Sequence, residues 1–217
     1  MRLTLITFIS LDGVVQGPGG PDEDRDGGFD LGGWVAPLWG EDVGEAIAGW
    51  FGQADAFLLG RRTYEIFAGA WPRVTDPDDP VAGPLNSLPK YVASRTLGEV
   101  SWNGAELLQG DVAQAVEELK RKPGRELQVH GSGNLAQTLI EHGLIDEYRL
   151  VTFPVVLGKG KRLFGAGARP AALRRLEHRD TSTGVSIDVY EAAGAPALGS
   201  FEIDESGNVI DESGNVV

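Results

Sequence analysis

Residues 127–153 read LQVHGSGNLAQTLIEHGLIDEYRLVTF, and this stretch decides the fold class. Leu127 to His130 is an apolar run of strand length, and Gly131-Ser132-Gly133 is a tight connection. Asn134 to His142 carries apolar residues at helical spacing and is closed by Gly143, the residue that best tolerates a left-handed stop. Tyr148 to Phe153 is again strand-like. A strand, a tight turn, a helix and a second strand predict an α/β protein with a substantial central sheet.

The same alternation extends in both directions. Leu3 to Ile9 reads as a first strand, and a Gly/Pro/Asp-rich loop follows from about Gly13 to Gly40, either a functional lid or a disordered segment. Asp42 to Phe51 places Val43, Ile47, Trp50 and Phe51 on one side of a helix. Ala56 to Gly60 is a buried strand, Arg61 to Phe67 a short helix, and Asp76 to Pro84 a polar, proline-rich loop. Lys90 to Ala93 is a short strand, and Asp111 is a good N-cap for a helix that turns Val112, Ala115, Val116 and Leu119 inward. Leu173 to Asp180 and Val185 to Glu191 read as an antiparallel hairpin around Ser182-Thr183-Gly184.

The 217 residues suffice for one domain with a sizeable core, expected over residues 1–193. After Gly194 the heptapeptide IDESGNV occurs twice in tandem, at Ile203–Val209 and Ile210–Val216, in a segment holding five acidic residues and no basic one. Residues 194–217 are therefore expected to be an acidic appendage, flexible or adding edge strands.

Hydrophobic residues make up 41% and charged residues 24%, the profile of a globular protein. The formal net charge is −13, which makes nucleic acid or an anionic membrane surface a poor partner and obliges any anionic ligand to find a local basic patch. With no cysteine in the chain, disulfides, zinc–thiolate sites and a cysteine nucleophile are excluded. His130, His142 and His178 lie on different elements without ligand spacing, so no metal site is expected; no G-x-S-x-G elbow supports a serine hydrolase. MRLTLITFIS alternates like a strand and lacks the pattern of a signal peptide, and no apolar run approaches membrane-spanning length, so a cytoplasmic protein is expected.

Three separated segments each put donors where a strand gives way to a helix or turn. Gly60-Arg61-Arg62-Thr63 offers a close backbone turn, a helix N-terminus and two guanidinium groups, which suits a phosphate; a plain helix start with solvated arginines fits as well. Ser94 and Arg95 could hold a phosphate bidentately, or form an ordinary turn. Gly131-Ser132-Gly133-Asn134-Leu135-Ala136 matches G-x-G-x-x-[G/A]. Asp146-Glu147 come too soon to be the ribose-binding acid of a Rossmann unit, so the segment serves either a phosphate or a close helix–strand crossing.

In order and spacing, SLDG after the first strand, ADAFLLGRRTYE, KYVASRT, VHGSGNLAQTLIEHGLIDEYRL and PVVLGKGKRLF resemble the dihydrofolate-reductase-like proteins, specifically the reductase domain of riboflavin biosynthesis and its stand-alone bacterial relatives. The resemblance covers about residues 1–192. It implies a three-layer α/β/α fold with a mixed, mainly parallel sheet and a C-terminal antiparallel hairpin, a homodimer, and NADPH-dependent hydride transfer to a small heterocyclic or carbonyl substrate, pyrimidine- or pterin-like compounds included. On this pattern Gly60, Arg61, Arg62 and Thr63 contact the pyrophosphate and adenosine side, Ser94 and Arg95 the 2′-phosphate, and Gly131, Ser132, Gly133, Asn134 and Leu135 the diphosphate and nicotinamide ribose. With no acid beside Ser94 to accept a ribose hydroxyl, NADPH is expected over NADH.

On the substrate side the expectations are Asp12 as an orienting group or a turn cap, and Gln16, Trp34 and Trp39 as groups that close over a ring or simply pack. The buried acid of the folate enzymes has its nearest counterparts in Asp42 and Glu45, neither in a convincing match. Lys159, Lys161 and Arg162 form either a basic cluster or a solvated turn. The deaminase half of the bifunctional riboflavin enzyme is absent. A module that binds NADPH without turnover, or an interaction protein using the acidic tail, is the alternative to a reductase.

Overall fold

Alternation in β1 (Arg2–Ser10) covers both of its faces: Leu3, Leu5 and Ile9 enter one apolar cluster, Ile6 and Phe8 the other. A strand so patterned belongs in the middle of a sheet, and in the computed structural model β1 lies between β5 (Glu126–His130) and β6 (Glu147–Phe153), parallel to both. The structure is described for residues 1–165, 168–203, 206, 208–211, 213, 215 and 216.

Beyond β5 come β2 (Ala54–Gly60), β3 (Lys90–Ala93) and β4 (Ala105–Leu107), all parallel. On the other side β8 (Ser186–Ala192) runs antiparallel to β6, and β7 (Leu173–Asp180) closes the edge as its hairpin partner. The eight-stranded order is β4-β3-β2-β5-β1-β6-β8-β7.

Helices cover both faces. α1 (Glu41–Phe51) sends Val43, Ile47, Trp50 and Phe51 into the first cluster, which also takes Tyr64 of α2 (Arg61–Ala70) and Leu85 of α3 (Ala82–Ser87). α4 (Val112–Arg121) and α5 (Gly133–Glu141) pack Val116, Leu119, Leu139 and Ile140 into the second. The three-layer, mainly parallel architecture with an antiparallel hairpin is therefore as expected. The Asp111 cap is present, its carboxylate accepting the Gln114 N–H at 2.9 Å, and Gly143 has φ +63°.

Beneath α1 the sheet carries charge. Arg149 donates to Glu126 Oε1 at 2.6 Å and Glu147 Oε1 at 2.7 Å, and lies over the Trp50 ring at 5.4 Å; Gln128 bridges Glu126 to the Trp50 carbonyl. All four side chains are buried, and Arg2 closes the chain of pairs at Glu147. In the tail, β9 (Glu202–Ile203) and β10 (Val209–Ile210) form a separate two-stranded sheet. Ile203 pairs with Val209 and Ile210 bridges Val216, so each heptapeptide copy pairs its first residue with its last.

Candidate functional site

Because six neighbouring strands are parallel, the carboxyl ends of β3, β2, β5, β1 and β6 line one edge of the sheet. β5 sits between β1 and β2, and the helices that leave β2 and β5 depart to opposite faces: Tyr64 of α2 enters one core, Leu135 and Ala136 of α5 the other. A crevice opens at such a switch of direction, and this is where open α/β sheets bind ligands.

Two helix N-termini meet there. The N-caps are Gly60 for α2 and Ser132 for α5, and neither helix has a side-chain capping bond. The first-turn amides of Arg61, Arg62 and Thr63, and of Gly133, Asn134 and Leu135, thus have no helical acceptor and carry the positive end of the dipole. Gly131 has φ +54° and Ser132, unusually for a side-chain-bearing residue, φ 54° and ψ 45°. What holds Ser132 in that conformation is its hydroxyl: Oγ accepts the Gly60 N–H at 2.9 Å and lies 3.0 Å from both Thr63 Oγ1 and the His130 carbonyl, either of which its single proton can serve. A Cβ on Gly60 would stand 3.4 Å from Ser132 Cβ and Oγ, so glycine at the strand end lets the two loops approach.

Ala93 pairs with Gly60, which sets Ser94 and Arg95 at the next strand end. Ser94 Oγ accepts the N–H groups of Thr96 and Leu97, tightening the turn. Arg61 pairs with Glu65 at 3.1 Å along its own helix. Arg62 pairs with Asp24 and with Asp26 (2.9 Å), both from the long loop, and Lys161 reaches the same two carboxylates at 2.8 and 2.7 Å. Arg95 is exposed and makes no ion pair or side-chain hydrogen bond among the described residues. The sequence segments therefore converge, with Arg95 the cation left free.

The substrate-side candidates have other employments. Asp12 accepts from Ser10 Oγ (2.7 Å) and from the N–H groups of Leu157 (3.0 Å) and Gly158 (2.9 Å), while Arg162 closes over it. The Ser10 hydroxyl first, and then these amides, draw its carboxyl down to about 2, so it is ionised at neutral pH. Gln16 is buried: its Nε2 donates to the Asp24 and Asp26 carbonyls and its Oε1 accepts the Lys161 N–H. Trp34 donates to the Gln16 carbonyl and stands edge-on to Phe153. These bonds order the Gly13–Gly40 loop in place. Glu45 is exposed on α1, and Asp42 pins that helix to the β7–β8 turn by accepting the Ser182 N–H.

Two features escaped the sequence reading. Asp24 and Asp26, lost in an acidic loop, turn out to neutralise Arg62, and no local pattern pairs residues so far apart. Phe8, at the carboxyl end of β1, meets half-exposed Trp39 edge-to-face at 5.6 Å. A cleft of about 940 Å³, lined by Ala54, Pro72, Asn86, Leu88 and Trp102, lies at the opposite edge, by the amino ends of β2 and β3. Among the described residues no group of acids and histidines could hold a metal ion, and no helix is long and apolar enough to cross a membrane.

A family model described as the RibD C-terminal domain matches residues 2–187. An uncharacterized protein of Bacillus subtilis (strain 168), YyaP, is 31% identical over 191 residues, covering 87% of this chain and 94% of its own length. Two solved structures share the fold. One is a putative riboflavin biosynthesis protein from Shewanella sp. PV-4, at 24% identity and TM-score 0.65, with 89% of this chain and 99% of that one covered. The other is a pyrimidine reductase-like protein from Corynebacterium diphtheriae, at 13% identity and TM-score 0.58, with 88% and 92% covered.

Proposed function

The chain belongs to the RibD C-terminal domain family, and from that premise we propose that it is an NADPH-dependent reductase acting on a small heterocyclic or carbonyl compound, pyrimidine- and pterin-like substrates included. The observation that carries the reading is the pair of uncapped helix N-termini, α2 and α5, fastened side by side by Ser132 at the switch point of the sheet. Free amides aligned with a dipole suit a diphosphate, and the glycines at 60 and 131 let the backbone come close.

When bound, NADPH supplies the hydride. The protein binds and orients it. The amides of Arg61 to Thr63 and of Gly133 to Leu135 hold the diphosphate, and Ser94 with Arg95 takes the 2′-phosphate, a bidentate match that a carboxylate there would forbid. Asp12, held ionised, orients the 157–158 turn through its two amides and is not the proton donor. Phe8 and Trp39 offer a planar substrate an aromatic wall at the end of β1. The proposal extends to a homodimer, for which β7 supplies a free sheet edge among the described residues.

Sustained oxidation of NADPH in the presence of a pyrimidine or pterin substrate tests the reading. The committed carboxylate of Asp12 favours one alternative, a module that binds NADPH without turning it over. Binding with no oxidation across both substrate classes selects that alternative, and no binding rejects both.

A further inference from the structure

The long loop does more than lie beside the crevice. Its base is a neck: Gly33 N–H donates to the Gly17 carbonyl at 2.8 Å and Val35 N–H to the Pro18 carbonyl at 3.2 Å, and the arms touch so closely that a Cβ on Gly32 would stand 2.4 Å from the Gly20 oxygen. Buried Phe29 and Trp34 fix the return arm. Between the arms, the tip carries Asp24 and Asp26 to the first turn of α2, where each meets both Arg62 and Lys161. Gly27 and Gly28, at φ +66° and +75°, follow these acids at the point where the chain reverses, and a Cβ on either would meet nothing within 4 Å.

We propose that the tip of this loop, Asp22 to Gly28, is an acidic latch that occupies the cationic mouth of the crevice and is exchanged for the phosphates of an incoming dinucleotide. The inference rests on the cofactor reading above. Its physical basis is competition for two cations. With the latch closed, Arg62 and Lys161 are matched by two carboxylates and offer an incoming anion no net charge, on a molecule of net charge −13. Asp26 is 55% exposed, so its pairs are solvated, screened and individually weak, whereas Asp24, at 11%, is the firmer hold that an incoming phosphate has to replace. A dinucleotide brings several phosphate charges and also takes the α2 amides, which the latch does not reach in this arrangement. A singly charged anion lacks that second set of contacts and leaves the latch closed. The arrangement thus selects for multiply charged ligands; opening also gives up the bonds from buried Gln16 Nε2 to Asp24 and Asp26, with Gly27 and Gly28 as the hinge on the return side.

The test is NADPH affinity of the full chain against Asp24→Asn/Asp26→Asn, with far-UV circular dichroism to establish that the fold is kept. Removing the competing charges is expected to tighten NADPH binding about threefold to tenfold or more, the lower end being what the exposed Asp26 pairs alone would give. Affinity that is unchanged or weaker overturns the latch. Hydrogen exchange on the wild type decides the matter independently of whether the double variant folds: NADPH is expected to speed exchange at Asp24 to Gly28, and slowed or unaltered exchange overturns the proposal. A wild-type chain that binds neither NADPH nor NADH rejects the cofactor reading and the latch together. Binding without tightening in the variant rejects the latch alone.

Discussion

The hydroxyl of Ser132 accepts the backbone N–H of Gly60 at 2.9 Å, across a sequence separation of 72 residues. This bond ties the ends of two adjacent strands and holds Ser132 at positive φ, a conformation that costs about 1 kcal/mol or more for a residue with a Cβ.

Ser132→Ala and Ser132→Gly are expected to differ in a fixed order. Both lose the bond to the Gly60 amide, at roughly 1–2 kcal/mol, but glycine also relieves the left-handed strain. Urea unfolding should rank wild type first, glycine second and alanine last. An alanine variant as stable as the glycine variant would show that the backbone is not strained at this position.

Arg95→Ala should weaken NADPH about tenfold or more while leaving NADH within roughly a factor of two, since a charge-assisted, bidentate phosphate contact is lost and nothing else. Calorimetric titration of both cofactors checks this, and equal losses for the two would move the 2′-phosphate elsewhere.

Arg149→Ala leaves Glu126 buried without a cation and Glu147 paired with Arg2 alone, a loss of about 3–5 kcal/mol, set mainly by the uncompensated charge on Glu126. Replacing all three by apolar residues of similar volume should cost much less. Comparing the two variants by denaturant unfolding separates the worth of the network from the penalty of breaking it.

Much of this architecture was legible from local pattern. Asp111, Gly143 and the alternation of β1 each state their structure within a few residues, because caps, stops and strand faces are local chemistry. What remained hidden depends on residues distant in sequence. Lys90 opens a strand as any lysine might, yet it is buried, donating to the Leu85 and Leu88 carbonyls and lying over Trp102. Residues 82–84 read as the end of the proline-rich loop Asp76–Pro84, but they open α3, where Asp79 accepts the Val81 and Ala82 amides. β4, only three residues long, has no pattern of its own and exists through pairing with β3. At the site, the donors were readable and their neutralisation was not: Arg62 looks free until Asp24 and Asp26 fold back upon it.

His130 predicts the pH response. Stacked on Phe51 at 4.3 Å and buried in the sheet, it is held neutral first by burial and then by the charge of Arg149, which bring its value from 6.5 down to about 3. The unfolded chain binds a proton below about pH 6.5 and the folded one does not, so stability is complete above that value and is lost as pH falls towards 3, at up to about 1.4 kcal/mol per pH unit. Melting temperatures recorded from about pH 7 to about pH 4.5 should decline in the wild type and flatten in His130→Phe. Parallel declines would assign the loss to another group.

The cofactor site is tested on the unmodified chain by its melting temperature with saturating NADPH, with NADH and with neither. A ligand that binds the native state raises stability by an amount set by its concentration over its dissociation constant. The crevice between α2 and α5, with Arg95 free at the neighbouring strand end, predicts a clear rise with NADPH and a smaller one with NADH; no rise with either would contradict it.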